Sequence, residues 1–108
     1  MCVQEVSTEA AGHAVQLVQR YWAQRQSVDD RIAAATTKWD LSRIGPVERN
    51  VMRVAVVELL DGEVPPKVVL DEAIEVGREY GGEDSPRFIN GILDVVLKRI
   101  VKRRKGSD

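Results

Sequence analysis

A chain of 108 residues is long enough for one domain with its own core and leaves little room for a second. Cys2 is the only cysteine, which excludes an intramolecular disulfide and thiolate metal clusters and fits a reducing, cytoplasmic setting. The net charge of −1 hides an uneven distribution: Lys98, Arg99, Lys102, Arg103, Arg104 and Lys105 carry six positive charges, leaving ten basic against sixteen acidic side chains in residues 1–97. The N-terminus lacks a basic stretch followed by an apolar run, and no run of about eighteen apolar residues occurs, so neither secretion nor membrane spanning is expected.

Aromatic residues make up only 5% of the chain, and the β-branched residues recur at helical rather than alternating spacing, which predicts an all-α fold. A first helix is expected from about Thr8 to Gln26, with Ala11, Val15, Val18 and Trp22 on one inward face. Ser27, followed by Asp29 and Asp30, has the chemistry of a helix start and predicts a second helix that turns Ile32, Ala35 and Trp39 inward.

The segment 40–46 breaks the pattern, and Pro46 suits the first position of a third helix, where its missing N–H costs nothing. Val47, Val51, Val54, Ala55 and Leu59 form its stripe, and Asp61-Gly62 ends it. Pro65-Pro66 opens a fourth helix with Val69, Leu70, Ala73, Ile74 and Tyr80 inward, and Gly81-Gly82 stops it. Asp84-Ser85-Pro86 starts a fifth, with Ile89, Ile92, Leu93, Val96 and Ile100 buried and fraying expected over 102–108. Short connections imply a single antiparallel bundle of about five helices across residues 1–108.

No catalytic or metal constellation emerges: His13 stands alone as an ordinary surface or boundary histidine, and Gly81-Gly82 lacks the lysine and spacing of a phosphate loop. The chain is expected to be no enzyme and to need no cofactor. Arg53, Glu58, Glu72, Asn90 and Asp94 lie on or beside apolar faces, where unpaired charge is costly, so they are expected to pair with one another. Arg87 and Phe88 follow a helix start, whose free amides attract anions and where an aromatic face can receive a base, although such a phenylalanine serves a core equally well. The basic tail admits two readings, a track for phosphates or a solvated helix end whose cations suit the negative pole of the dipole.

Three blocks carry a resemblance to a known family. They are Trp39-Asp40-Leu41-Ser42-Arg43-Ile44 with Pro46-Val47-Glu48-Arg49-Asn50-Val51-Met52-Arg53-Val54-Ala55 and Glu58-Leu59, then Pro65-Pro66-Lys67-Val68-Val69-Leu70-Asp71-Glu72-Ala73-Ile74-Glu75, then Gly82-Glu83-Asp84-Ser85-Pro86-Arg87-Phe88-Ile89-Asn90-Gly91-Ile92-Leu93-Asp94. In this order, over residues 39–94, they resemble the C-terminal helical bundle of the NusB family of transcription antitermination proteins. The resemblance implies a non-enzymatic factor of the transcription complex that regulates ribosomal RNA transcription, binds boxA-like RNA and pairs with the ribosomal protein NusE. It places Asp84, Ser85, Arg87 and Phe88 on the RNA surface and Glu48 on the NusE-facing side.

Two departures accompany the resemblance. Family members begin with two or three further helices and an arginine-rich N-terminus that supplies much of the RNA grip. This chain starts too late for them, which predicts an apolar patch to be covered by self-association or by residues upstream of Met1. Gly77 stands where a helix former is usual, at about 1 kcal/mol in propensity unless a close backbone contact requires it. The helical domain of the rRNA methyltransferase RsmB offers an alternative reading as an RNA-recognition module, and a protein-binding remnant without RNA affinity is a third.

Overall fold

The computed structural model describes the backbone of residues 8–39 and 44–106 and the side chains of 15–39 and 44–104. Expectations about Cys2 and residues 40–43, and about the side chains of Ala11, His13 and Lys105, lie outside what is described. The described chain holds four helices and no strand: α1 (Thr8–Ala35), α2 (Pro46–Asp61), α3 (Pro66–Tyr80) and α4 (Ser85–Gly106).

The count is four rather than five because the expected first two helices are one continuous helix of 28 residues. Ser27 does not cap a new helix; its hydroxyl accepts from Arg31 Nε one turn on, at 3.4 Å. The acids that suggested a helix start are used as side-chain partners, Asp29 for Tyr21 and Arg53, Asp30 for Gln26. No glycine or proline between Gln26 and Ile32 compels a break, and Val28, immediately after Ser27, is fully buried.

The later boundaries follow their local chemistry. Pro46 and Pro66 occupy the first turns of α2 and α3. Gly62 takes the left-handed conformation, φ +76°, and its N–H donates to the Glu58 carbonyl, closing α2 as glycine does at many C-termini. The tail expected to fray beyond Lys102 continues the helix as far as Gly106.

Helices α2 and α4 form the centre. Both are packed by α1 on one side and α3 on the other, and among the described residues α1 and α3 do not touch. The five residues expected to be buried in α4 are all inside, with Ile89, Ile92 and Leu93 fully enclosed. In α2, with neighbours on three sides, the buried arc is wider than its apolar stripe suggests: Met52 and Val56 are enclosed, whereas Val47, Val51 and Val54 are only half-buried.

Two other stripes depart from expectation. Tyr80, in the last turn of α3, is 67% exposed. In the outer half of α1, Leu17 and Tyr21 pack on the core, in line with Val28, Ile32 and Ala35 further along the helix. Val15, Val18 and Trp22 lie about 100° further round the cylinder and are exposed, Val18 by 64% and Trp22 by 63%. The guanidinium of Arg25 lies 4.0 Å over the Trp22 ring.

Arg53, Glu72, Asn90 and Asp94 do not pair with one another as expected. Arg53 pairs with Asp29 at 3.0 Å and also donates to Asn50. Asp94 pairs with Lys98 one turn along α4, and Glu72 and Asn90 are exposed. Among the described residues the buried carboxylate is that of Glu48.

Candidate nucleic-acid interface

Glu48 sits in the first turn of α2, where an acid complements the helix dipole. Its side chain crosses to the start of α4: one oxygen accepts from the Gly82 amide at 3.0 Å and, by a short hydrogen bond, from the Ser85 hydroxyl. Both side chains are inside, Glu48 at 5% exposure and Ser85 at zero. Burial pushes the Glu48 carboxyl up, but the Ser85 hydroxyl and the amides around it outweigh that and hold it below its ordinary value of 4.5. The anion at the start of α4 is therefore supplied by the chain itself.

Glycines make this close approach feasible. A Cβ on Gly77 would overlap Ile89 Cδ1, and one on Gly81 would lie 2.8 Å from the Gly77 carbonyl oxygen. The end of α3 and the first turn of α4 are thereby packed closely together, and Glu48 ties both to α2.

Outside this brace lies an aromatic edge. Trp39, just past α1, rests on α4 at Gly91, where a Cβ would come within 2.6 Å of its indole. Its ring meets Phe88 edge to face, with centroids 5.1 Å apart and planes at 80°, and the exposed Arg87 guanidinium sits 6.0 Å from the indole centroid.

The residues expected on the RNA surface thus divide. Asp84 and Arg87 are exposed, whereas Ser85 and Phe88 are buried. Phe88 is buried and offers no open face to a base; it packs against Trp39, which is half-buried. Glu48, expected to face a partner, points inward. Trp39 was legible as an apolar residue but not as part of a site, because the signal lies in its pairing with Gly91, 52 positions away in sequence.

This arrangement can hold an anion at Arg87 and a flat ring beside the indole, and it brings together no acid–base pair. Among the described residues no cluster of histidine, cysteine or carboxylate side chains could hold a metal ion, and no helix is long and apolar enough to cross a membrane.

Residues 3–98 match the NusB family. The transcription antitermination protein NusB of Anaeromyxobacter dehalogenans is 45% identical over 102 residues, covering 94% of this chain and 72% of that protein. The protein of the same name from Thermotoga maritima is 44% identical over 79 residues, covering 72% of this chain and 56% of its own length. A solved structure of T. maritima NusB superposes with a TM-score of 0.78 at 38% identity, over 88% of this chain and 68% of that one. The chain belongs to the NusB family.

Proposed function

We propose that this chain is a non-catalytic transcription antitermination factor acting in ribosomal RNA transcription, and that it binds boxA-like RNA at the Trp39–Arg87 edge while pairing with NusE. The observation that carries the RNA reading is the exposed Arg87 guanidinium poised 6.0 Å from the Trp39 ring. A cation beside an aromatic face combines a phosphate contact with a stacking platform, the two elements of single-strand binding. Asp84 is exposed on the same turn. Ser85, Phe88 and Glu48 act beneath the surface: Phe88 supports the indole, while Glu48 and Ser85 fix the turn that carries Asp84 and Arg87.

The test is the anisotropy of a labelled boxA-type RNA titrated at several salt concentrations. Arg87→Gln is expected to weaken binding and to lower the slope of log affinity against log salt by about 0.7, the loss of one phosphate contact on a single strand. Unchanged binding by Arg87→Gln would reject the site, and an absence of binding by the unaltered chain would reject the RNA function. The exposed Val15–Val18–Trp22 stripe favours a second reading, a protein-binding role alone. Capture of NusE without RNA affinity would select it.

A further inference from the structure

Helices α1 and α4 run antiparallel: Trp39, past the end of α1, lies on Gly91, whereas Gln26 and Arg31 sit across from Arg99 and Arg103. Between these last residues opens a groove of about 580 Å³, floored by Val96. Arg31, Arg99 and Arg103 line it, and Asp30, the one carboxylate in its lining, already accepts from Gln26 at 2.9 Å.

The charges of the C-terminal stretch are not equivalent. Lys98 is paired with Asp94, and Arg104 turns the other way to donate to the Leu60 carbonyl at 3.0 Å. Lys102 lies off the groove, and among the described residues no acid pairs with Arg99 or Arg103. These two are one helical turn apart, about 6 Å along α4, a separation that neighbouring phosphates of an extended strand can match. Arg99 is also eleven residues beyond Phe88, hence within about 20° of the same face and about 17 Å further along the helix. The groove and the Trp39 edge are two ends of one seam.

We propose that this groove is a second RNA contact, in which Arg31, Arg99 and Arg103 hold the sugar-phosphate backbone of a single strand whose base is engaged at Trp39. It rests on the RNA reading above and extends it along the α1–α4 seam. Arginine suits the role because its planar fork can grip a phosphate through two parallel hydrogen bonds.

The experiment compares two double variants that remove equal charge from the same stretch, Arg99→Gln/Arg103→Gln in the groove and Lys98→Gln/Lys102→Gln outside it. Both are titrated with the same labelled RNA across salt concentrations, with circular dichroism to check the fold. Loss of two phosphate contacts should lower the salt slope by about 1.4 and weaken binding roughly ten- to thirty-fold at 0.1 M salt. The outside pair should change the slope by less than half as much. If the two variants behave alike while Arg87→Gln still weakens binding, the groove is overturned and the Trp39 site stands. If the unaltered chain binds no RNA, both fall. Hexaglutamate bound more tightly than the RNA, and lost in Arg99→Gln/Arg103→Gln, would overturn the proposal in favour of an acidic protein segment.

Discussion

The outer half of α1 and the seat of α4 invert the usual sorting of side chains. In α1, Val15, Val18 and Trp22 follow a clear helical spacing, yet they face outward. At the seat of α4, a glutamate and a serine are enclosed and surrounded by glycines. An apolar stripe shows which face would favour burial, but a neighbour must exist to bury it. A polar group goes inside when its hydrogen bonds are met there, as those of Glu48 are by Ser85 and Gly82.

The largest expected effect that sharpens this contrast is at Glu48. Replacing it with alanine leaves the Ser85 hydroxyl and the Gly82 amide without their acceptor, at about 2–4 kcal/mol of stability in urea unfolding. The pH dependence has a definite sign. The folded carboxyl is held below its unfolded value of 4.5, so its contribution is fully present above that pH and is lost as pH falls through the folded value. Glu48→Gln should flatten this part of the stability curve. An unchanged loss of stability on acidification in that variant would show that Glu48 is not the group responsible.

A smaller effect separates two helical glycines. Gly77→Ala forces a methyl into Ile89 and should cost about 1–3 kcal/mol, with partial relief from Ile89→Val, which removes the clashing carbon. Gly12, in the outer half of α1, has open space around it, and Gly12→Ala should raise stability by about 0.5–1 kcal/mol through helix propensity. Val18→Ser, at the bottom of the scale, should change the melting free energy by no more than about 0.5 kcal/mol. A loss as large as that of Gly77→Ala would break the contrast, because it would mean that the outer stripe is covered in solution.

What was legible in the sequence was local. Pro46, Gly62 and Pro66 mark boundaries because each acts on its own backbone, and the α4 stripe from Ile89 to Ile100 reads correctly because one long helix with a wide apolar face has little choice. Ser27, Asp29 and Asp30 misled because cap chemistry permits a helix start without compelling one. Of the candidate site, the sequence pointed to two residues that the fold leaves exposed, Asp84 and Arg87. The site's foundations depend on contacts between distant positions, Glu48 with Ser85 across 37 residues and Trp39 with Gly91. Periodicity carries no information about such pairs. For the same reason the partner of Arg53 was misassigned, since it finds its acid in α1.

The central claim is that RNA is engaged at the edge formed by Trp39 and Arg87. The chain has two tryptophans, so Trp22→Phe leaves Trp39 as the single indole reporter and alters only an exposed ring. Titration of this variant with a boxA-type RNA should change Trp39 emission saturably, in step with binding measured by anisotropy and more weakly as salt rises. RNA bound by anisotropy with Trp39 emission unmoved would contradict it.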